Sequence, residues 1–90
     1  MPQLHAIVHG RVQGVHFRYY TLLEADKRSL TGWVRNRPDG TVETLAVGSR
    51  EALESFLKWL HRGSPSAWVQ KVEADWSDVD QKFSAFEIEA

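Results

Sequence analysis

The 90-residue chain contains no cysteine, which excludes a disulfide framework and a thiol nucleophile. It also lacks an apolar run long enough to cross a bilayer, and its first residues do not have the charged-then-apolar layout of a signal peptide. No low-complexity tract or linker divides the sequence. These absences predict one domain over residues 1–90, placed in the cytosol and away from membranes.

A large excess of charge of one sign is missing as well. The formal net charge is −1, which argues against a general nucleic-acid binder. The charges are unevenly distributed, because the chain up to Gly40 carries six Lys and Arg residues against three acidic ones. A positive first part in a near-neutral chain suits a small anionic ligand better than a long polyanion.

The pattern of apolar residues predicts two helices and five strands. Strands are indicated by alternation and by β-branched or aromatic residues, helices by apolar positions three and four residues apart. The predicted strands are about Leu4–Val12, Leu30–Asn36, Thr41–Val47, Ala67–Trp76 and Phe83–Glu89, and the predicted helices are about Arg18–Arg28 and Arg50–Leu60. This order predicts an α+β, ferredoxin-like split β-α-β sandwich (βαββαβ plus a short final strand). Both helices would lie on one face of a mostly antiparallel sheet.

Each predicted helix has an apolar face that should pack on the sheet. In the first helix this face contains Tyr19, Leu22 and Leu23. The second helix is expected to begin after an N-cap at Ser49 and to end at Gly63. Its apolar stripe consists of Ala52, Leu53, Phe56, Leu57 and Leu60. The tryptophans and phenylalanines are expected in the core and on half-buried sheet surface.

The stretch between the first strand and the first helix has the features of an anion cradle. Gly10 and Gly14 interrupt the strand before a helical run that contains Arg18. Backbone N–H groups can converge in such a turn, and the helix start adds unpaired N–H groups and the positive end of its dipole. A plain turn with a surface arginine fits the same residues, and this stretch alone does not decide between the two.

The predicted hairpin places an asparagine at the end of its first strand. The turn Pro38-Asp39-Gly40 follows it, and alternation puts Asn36 on the same face as Val34. A lone asparagine in this position is usually a turn residue that bonds its own loop. In the predicted fold, however, this strand end and the turn after the first strand lie at one edge of the sheet, which would bring Arg18 and Asn36 together.

Two segments of the chain resemble the signature segments of the acylphosphatases. They are Gly10-Arg11-Val12-Gln13-Gly14-Val15-His16-Phe17-Arg18 and Gly32-Trp33-Val34-Arg35-Asn36-Arg37-Pro38-Asp39-Gly40. Their spacing is similar too, as are Gly48 and the later Gly63-Ser64-Pro65-Ser66-Ala67 with Val69. The resemblance runs from the first strand to the last.

The resemblance implies hydrolysis of the carboxyl-phosphate bond of acyl phosphates, giving a carboxylate and inorganic phosphate, without a metal or other cofactor. It implies that Arg18 binds the phosphate and that Asn36 orients the attacking water. An asparagine amide cannot accept a proton at neutral pH, and the substrate's own phosphate is the candidate acceptor in the family. The backbone amides implied to surround the phosphate belong to Gln13, Gly14, Val15, His16, Phe17 and Arg18.

Other chemistries fit the residues less well. The glycine loop lacks the Gly-Lys-Ser/Thr ending of a nucleotide P-loop, and the four histidines have no metal-ligand spacing. We interpret His16 as a solvent-facing side chain rather than a general base. A non-catalytic anion- or partner-binding domain of the same fold remains the alternative, although such a binder would need Arg18 but not Asn36. We expect a monomer that acts on a small molecule and binds neither nucleic acid nor membrane.

Two positions depart from the family's common pattern. Arg28 and Ser29 stand where members usually have a hydrophobic residue and a glycine, so Ser29 would carry a cost of about 1 kcal/mol if the turn needs a positive φ. Arg37 follows Asn36 where a small polar residue is common. That substitution leaves open how Asn36 is braced, and the sequence does not name the physiological acyl phosphate.

Overall fold

A computed structural model describes residues 1–90. Five strands form a single sheet, and two helices pack on it. The strands are β1 (Pro2–Arg11), β2 (Thr31–Asn36), β3 (Val42–Val47), β4 (Trp68–Asp78) and β5 (Phe86–Glu89), and the helices are α1 (Phe17–Lys27) and α2 (Arg50–Arg62). The spatial order of the strands is β4-β1-β3-β2-β5. Neither helix has the length and apolar character that a membrane span requires.

The topology confirms the predicted ferredoxin-like fold. Neighbouring strands pair antiparallel except β2 and β5, which are parallel. β1 is internal, between β3 and β4. The parallel pairing with β5 puts the last strand of the chain beside the strand that ends in Asn36, so the C-terminal segment helps to build the edge where the two signature segments meet.

The core lies between the sheet and the two helices. Leu4, Ala6 and Val8 of β1 are fully buried, as alternation predicts for a strand with one covered face. α2 buries Leu53 and Phe56 together with Leu60, which confirms the predicted stripe. Its ends are also as predicted: the Ser49 side chain accepts a hydrogen bond from the Ala52 amide (3.1 Å), and Gly63 is the C-cap with φ 76°.

The predicted apolar face of α1 is wrong for Tyr19 and Leu23, whereas Leu22 packs against the core as expected. Tyr19 is 53% exposed and Leu23 is 37% exposed, whereas Phe17, Thr21 and Ala25 face the core. The helix begins at Phe17 rather than Arg18, and its buried stripe runs through positions 17, 21 and 25. A threonine can occupy this stripe because its hydroxyl donates to the Phe17 carbonyl oxygen (2.8 Å). The polar Thr21 and small Ala25 hid this face from an apolar-pattern argument.

Two aromatic residues also differ from the expectation of burial. Trp68 is 64% exposed and Phe83 is 39% exposed. Val69 packs against the core, so alternation turns its neighbour Trp68 toward the face of the sheet that no helix covers. Phe83 precedes β5, which begins at Phe86 rather than at the predicted position.

Candidate active site

The end of β1 is shaped by a bulge that brings two backbones together. The register between β1 and β4 shifts between His9 and Gly10, and Gly10 has φ 128°. A Cβ atom on Gly10 would lie 2.2 Å from the Trp68 carbonyl oxygen. Only glycine fits this approach, and the strand leaves the sheet immediately after it.

The segment from Gln13 to Arg18 presents a set of unused backbone N–H groups. None of these amides donates a hydrogen bond within the protein. Gly14 (φ 75°) and His16 (φ 59°) both adopt left-handed conformations. His16 is the N-cap of α1, yet its side chain makes no capping hydrogen bond. The open helix terminus therefore keeps its donors and its positive partial charge available for an anion.

The segment from Gln13 to Arg18 is anchored to the core by the residues that follow α2. The buried Ser64 hydroxyl donates to the Val15 carbonyl oxygen (2.8 Å). Beside it, a Cβ atom on Gly63 would lie 2.7 Å from Cε2 of Phe17, and the Phe17 ring packs against Trp59 with centroids 5.5 Å apart. These contacts hold the first turn of α1 against the core.

A second anchor joins the loop to the hairpin and was missed by the sequence argument. The Gln13 side-chain amide donates to two carbonyl oxygens, that of Arg37 (2.8 Å) and that of Thr41 (2.9 Å). The sequence assigned Gln13 only a backbone role. Its partners are main-chain atoms, which leave no trace in residue identities or spacing. Gln13 therefore fixes the distance between the two signature segments.

The hairpin turn itself is tightly bonded. Asp39 Oδ1 accepts hydrogen bonds from the amide (3.0 Å) and hydroxyl (2.6 Å) of Thr41. These bonds, rather than a charge alone, lower the pKa of the Asp39 carboxyl. The Arg37 amide donates to the Thr41 carbonyl oxygen (2.9 Å), and Gly40 has φ 91°. Arg37 thus braces the turn through its backbone.

Asn36 is the last residue of β2, and it does not bond its own loop. Its Oδ1 atom is buried and has no hydrogen-bond partner within the protein. Its neighbour Val34, two residues earlier on the same face, is fully buried, while Arg35 is exposed on the opposite face with its guanidinium 5.0 Å from the Trp33 ring centroid. A buried acceptor without a partner is costly, so Asn36 ends β2 with one polar atom that the protein leaves unsatisfied.

Arg18, Asn36 and the glycine loop line one cleft of about 270 Å³, as the predicted fold requires. The cleft is lined by Gly14, His16, Phe17, Arg18, Tyr19, Asn36 and Ile88. Arg18 reaches it from the first turn of α1, and its Nη1 donates to the Glu89 carbonyl oxygen of β5 (3.3 Å). The arginine has no carboxylate partner, so its positive charge is free to meet an anion.

Two further observations concern His16 and the metal-ligating side chains. His16 is exposed, as expected, and lines the cleft with its ring unbonded to any carboxylate. No group of three or more His, Cys, Asp or Glu side chains is placed to hold a metal ion. The site therefore offers amide donors, one guanidinium and one carboxamide around a single cleft.

The model of one protein family, described as Acylphosphatase, matches residues 4–88. The chain belongs to the acylphosphatase family. It is similar to an acylphosphatase of Bacillus licheniformis, with 51% identity over 88 residues that cover 98% of each chain. The crystal structure of acylphosphatase from Bacillus subtilis has a TM-score of 0.97 at 47% identity and full coverage of both chains. The structure of an acylphosphatase from Coxiella burnetii has a TM-score of 0.91 at 37% identity, covering 97% of this chain and 90% of that one.

These likenesses confirm the family, the fold and the class of hydrolase expected from the two signature segments. They extend over the whole sheet, including β5 and the segment beside Arg18.

Proposed function

We propose that this protein hydrolyses acyl phosphates with Arg18 and the loop amides as the phosphate site and Asn36 as the residue that orients water. The observation that carries the proposal is the shared cleft: Arg18, whose guanidinium has no carboxylate partner, and Asn36 line it together with the loop that carries the unbonded amides. The products are a carboxylate and inorganic phosphate.

Binding comes first in the proposed mechanism. The phosphoryl oxygens accept hydrogen bonds from the amides of residues 13–18 and from the Arg18 guanidinium, and the dipole of α1 adds to the attraction. The contact between Arg18 and the Glu89 carbonyl oxygen limits the rotation of the guanidinium. Charge on the equatorial oxygens in a loose transition state is stabilised by the same groups, so catalysis consists mainly of positioning and electrostatics.

The attacking water is held by Asn36. Its side-chain amide holds the water by a hydrogen bond, and the water oxygen then attacks phosphorus in line with the departing carboxylate oxygen. The P–O bond to the acyl group breaks, its electron pair leaves with the carboxylate, and the water proton passes to an oxygen of the phosphate. Because the carboxylate is a good leaving group, no strong general base is needed at the exposed His16.

Hydrolysis of benzoyl phosphate by the wild type and by Arg18→Ala tests this assignment. We expect the substitution to lower kcat/KM at least about 100-fold, equivalent to about 3 kcal/mol, and to weaken inhibition by inorganic phosphate. Arg18→Lys should restore only part of the loss, because an ammonium cannot bind two oxygens as a fork. Arg62→Ala is the matched control: this arginine is exposed, forms no ion pair and lies outside the cleft.

An unaltered kcat/KM in Arg18→Ala would contradict the mechanism. Phosphate binding without hydrolysis in the wild type would favour the non-catalytic binding domain instead.

We further propose that residues 1–90 act as one unit, as a monomer in the cytosol, and that the protein does not bind nucleic acid. These properties stay predictions from composition and charge.

A further inference from the structure

The side chains that line the cleft are of two kinds. Arg18 and Asn36 are accounted for by phosphate and water, and His16 faces solvent, but Tyr19 and Ile88 present large apolar surfaces that are 53% and 40% exposed. Phe17 also lines the cleft, but only 1% of it is exposed, so its ring is not available to a ligand. Tyr19 and Ile88 are therefore the only apolar side chains that the cleft offers to a substrate.

We propose that Tyr19 and Ile88 form an acyl-binding surface that favours acyl phosphates with an aromatic or extended apolar acyl group. This inference rests on the proposed function, since it names the substrate class of the same site. Scattered exposed apolar residues need no explanation. Here, however, two of the exposed large apolar residues of the molecule converge on the one cleft that contains the catalytic groups.

The positions of Tyr19 and Ile88 suit contact with the acyl group, which extends beyond the phosphate site. Tyr19 directly follows Arg18, so it lies at the rim of the phosphate cradle on α1. Ile88 of β5 pairs in register with Val34, two residues before Asn36. The acyl-binding surface thus has one wall from α1 and one from β5. An acyl group attached to a phosphate held by Arg18 has to leave the cradle between these walls.

The orientation of the Tyr19 ring is set by its neighbour. The rings of Tyr19 and Tyr20 meet edge to face, with centroids 5.8 Å apart and an interplanar angle of 77°. Tyr20 is itself half-buried. A ring held in this way offers a flat apolar surface at little further entropic cost, which suits a planar acyl group better than a methyl group.

The test compares two substrates that share the phosphate and differ in the acyl group. Specificity constants are measured for benzoyl phosphate and acetyl phosphate with the wild type, Tyr19→Ala and Ile88→Ala. The expected result is a fall of about tenfold in the benzoyl-to-acetyl ratio of kcat/KM for Tyr19→Ala, and a smaller fall for Ile88→Ala. Tyr19→Phe should keep the ratio, because the ring rather than the hydroxyl makes the surface.

A matched control separates the surface from the helix that carries it. Leu23 is exposed on α1 one turn beyond Tyr19 but does not line the cleft, so Leu23→Ala should not change the ratio. The inhibition constant of inorganic phosphate, which has no acyl group, should also be the same in Tyr19→Ala as in the wild type. A general distortion of the site would instead weaken phosphate binding.

The outcomes distinguish this inference from the function on which it rests. An unchanged ratio in Tyr19→Ala, or an equal fall for both substrates, would overturn the acyl-binding surface while leaving the hydrolase intact. A wild type that hydrolyses neither substrate would overturn the proposed function, and the inference with it.

Discussion

The two helices of this small protein differ in their buried faces and in their caps. α2 has a polar face, a continuous buried stripe, a serine N-cap and a glycine C-cap. α1 has a threonine in its buried stripe, an N-cap that makes no side-chain bond, and exposed Tyr19 and Leu23. α2 packs on β1 and β4 and contributes no residue to the cleft, whereas the first turn of α1 supplies three of its lining residues.

The difference is expected if the N-terminus of α1 binds phosphate, as we propose. A capping side chain at His16 would occupy the very amides that an anion needs. An inward-facing Tyr19 would add to the core but would leave the rim of the cleft without an apolar surface. α1 therefore has weaker local signals than α2, and the core contacts of Phe17 and the anchor from Ser64 compensate for them.

The largest effect on stability should come from truncating the core side chain of Phe56 in α2. Phe56 is fully buried and packs against Phe86 with ring centroids 6.1 Å apart. Phe56→Ala should lower the free energy of unfolding by about 3–5 kcal/mol, measured by urea denaturation. At a temperature where the variant is folded, kcat/KM should stay close to that of the wild type. A large loss of kcat in fully folded protein would contradict the view that α2 contributes to stability and not to the cleft.

A smaller change in the opposite direction is expected at the C-terminus of α1. The helix ends in a Schellman motif, in which the Ser29 amide bonds to the Asp26 carbonyl oxygen and the Leu30 amide to that of Ala25. Ser29 has φ 56°, so this turn does place a serine in the left-handed conformation. Ser29→Gly should raise the free energy of unfolding by about 1 kcal/mol, because glycine adopts this conformation without steric cost.

The control for this variant is Ser66→Gly. Ser66 is an exposed serine outside the helices and strands whose φ is not positive, so glycine there should be neutral or slightly destabilising. Equal effects of the two substitutions would show that the strain at Ser29 does not limit α1. Thermal unfolding of both variants beside the wild type is sufficient to decide this.

The smallest expected effect on stability comes from an ion-pair network on the face of the sheet that neither helix covers. Glu43 Oε2 is 2.6 Å from Nε2 of His5, and Oε1 is 2.7 Å from Nη2 of Arg35. Burial raises the pKa of Glu43, but the hydrogen bonds and charges of His5 and Arg35 outweigh it, so the pKa lies below the ordinary value of 4.5. The resulting stability is present above about pH 4.5 and is lost as pH falls through the lowered pKa.

Glu43→Gln should therefore reduce stability at pH 7 by up to about 1 kcal/mol and flatten the fall in stability below pH 4.5. The control is Glu54→Gln, which removes an exposed helix-surface pair with Arg50. Unfolding curves between pH 3 and 7 measure both effects. A variant that keeps the acid dependence of the wild type would show that this network is not its source.

Much of this fold follows from local patterns, and the exceptions have physical causes. The stripe of α2, the alternation in β1 and the Asp39-Gly40 turn are each specified by nearby residues, and each is confirmed. The face of α1 was predicted wrongly at Tyr19 and Leu23, because the polar Thr21 and the small Ala25 occupy its buried stripe. The exposure of Trp68 depends on a bulge at Gly10, which no residue pattern on β4 reveals.

In the site, too, some features could be predicted from the sequence and others could not. The meeting of Arg18 and Asn36 in one cleft could be predicted, because it depends on topology and on two recognisable segments. The clamp by Gln13 and the carbonyl of Glu89 beside Arg18 could not, because their partners are backbone atoms distant in sequence. Tyr19 and Ile88 likewise come together only through the parallel pairing of β5 with β2.

The division of labour between Arg18 and Asn36 is tested most directly by Asn36→Ala. Its kcat for benzoyl phosphate and its inhibition constant for inorganic phosphate are measured in the same preparation. The account predicts that kcat falls about 100-fold or more, while the inhibition constant stays within about twofold of the wild type, because Asn36 holds the water and not the phosphate. Full turnover, or a loss of phosphate binding as large as the loss of kcat, would contradict it.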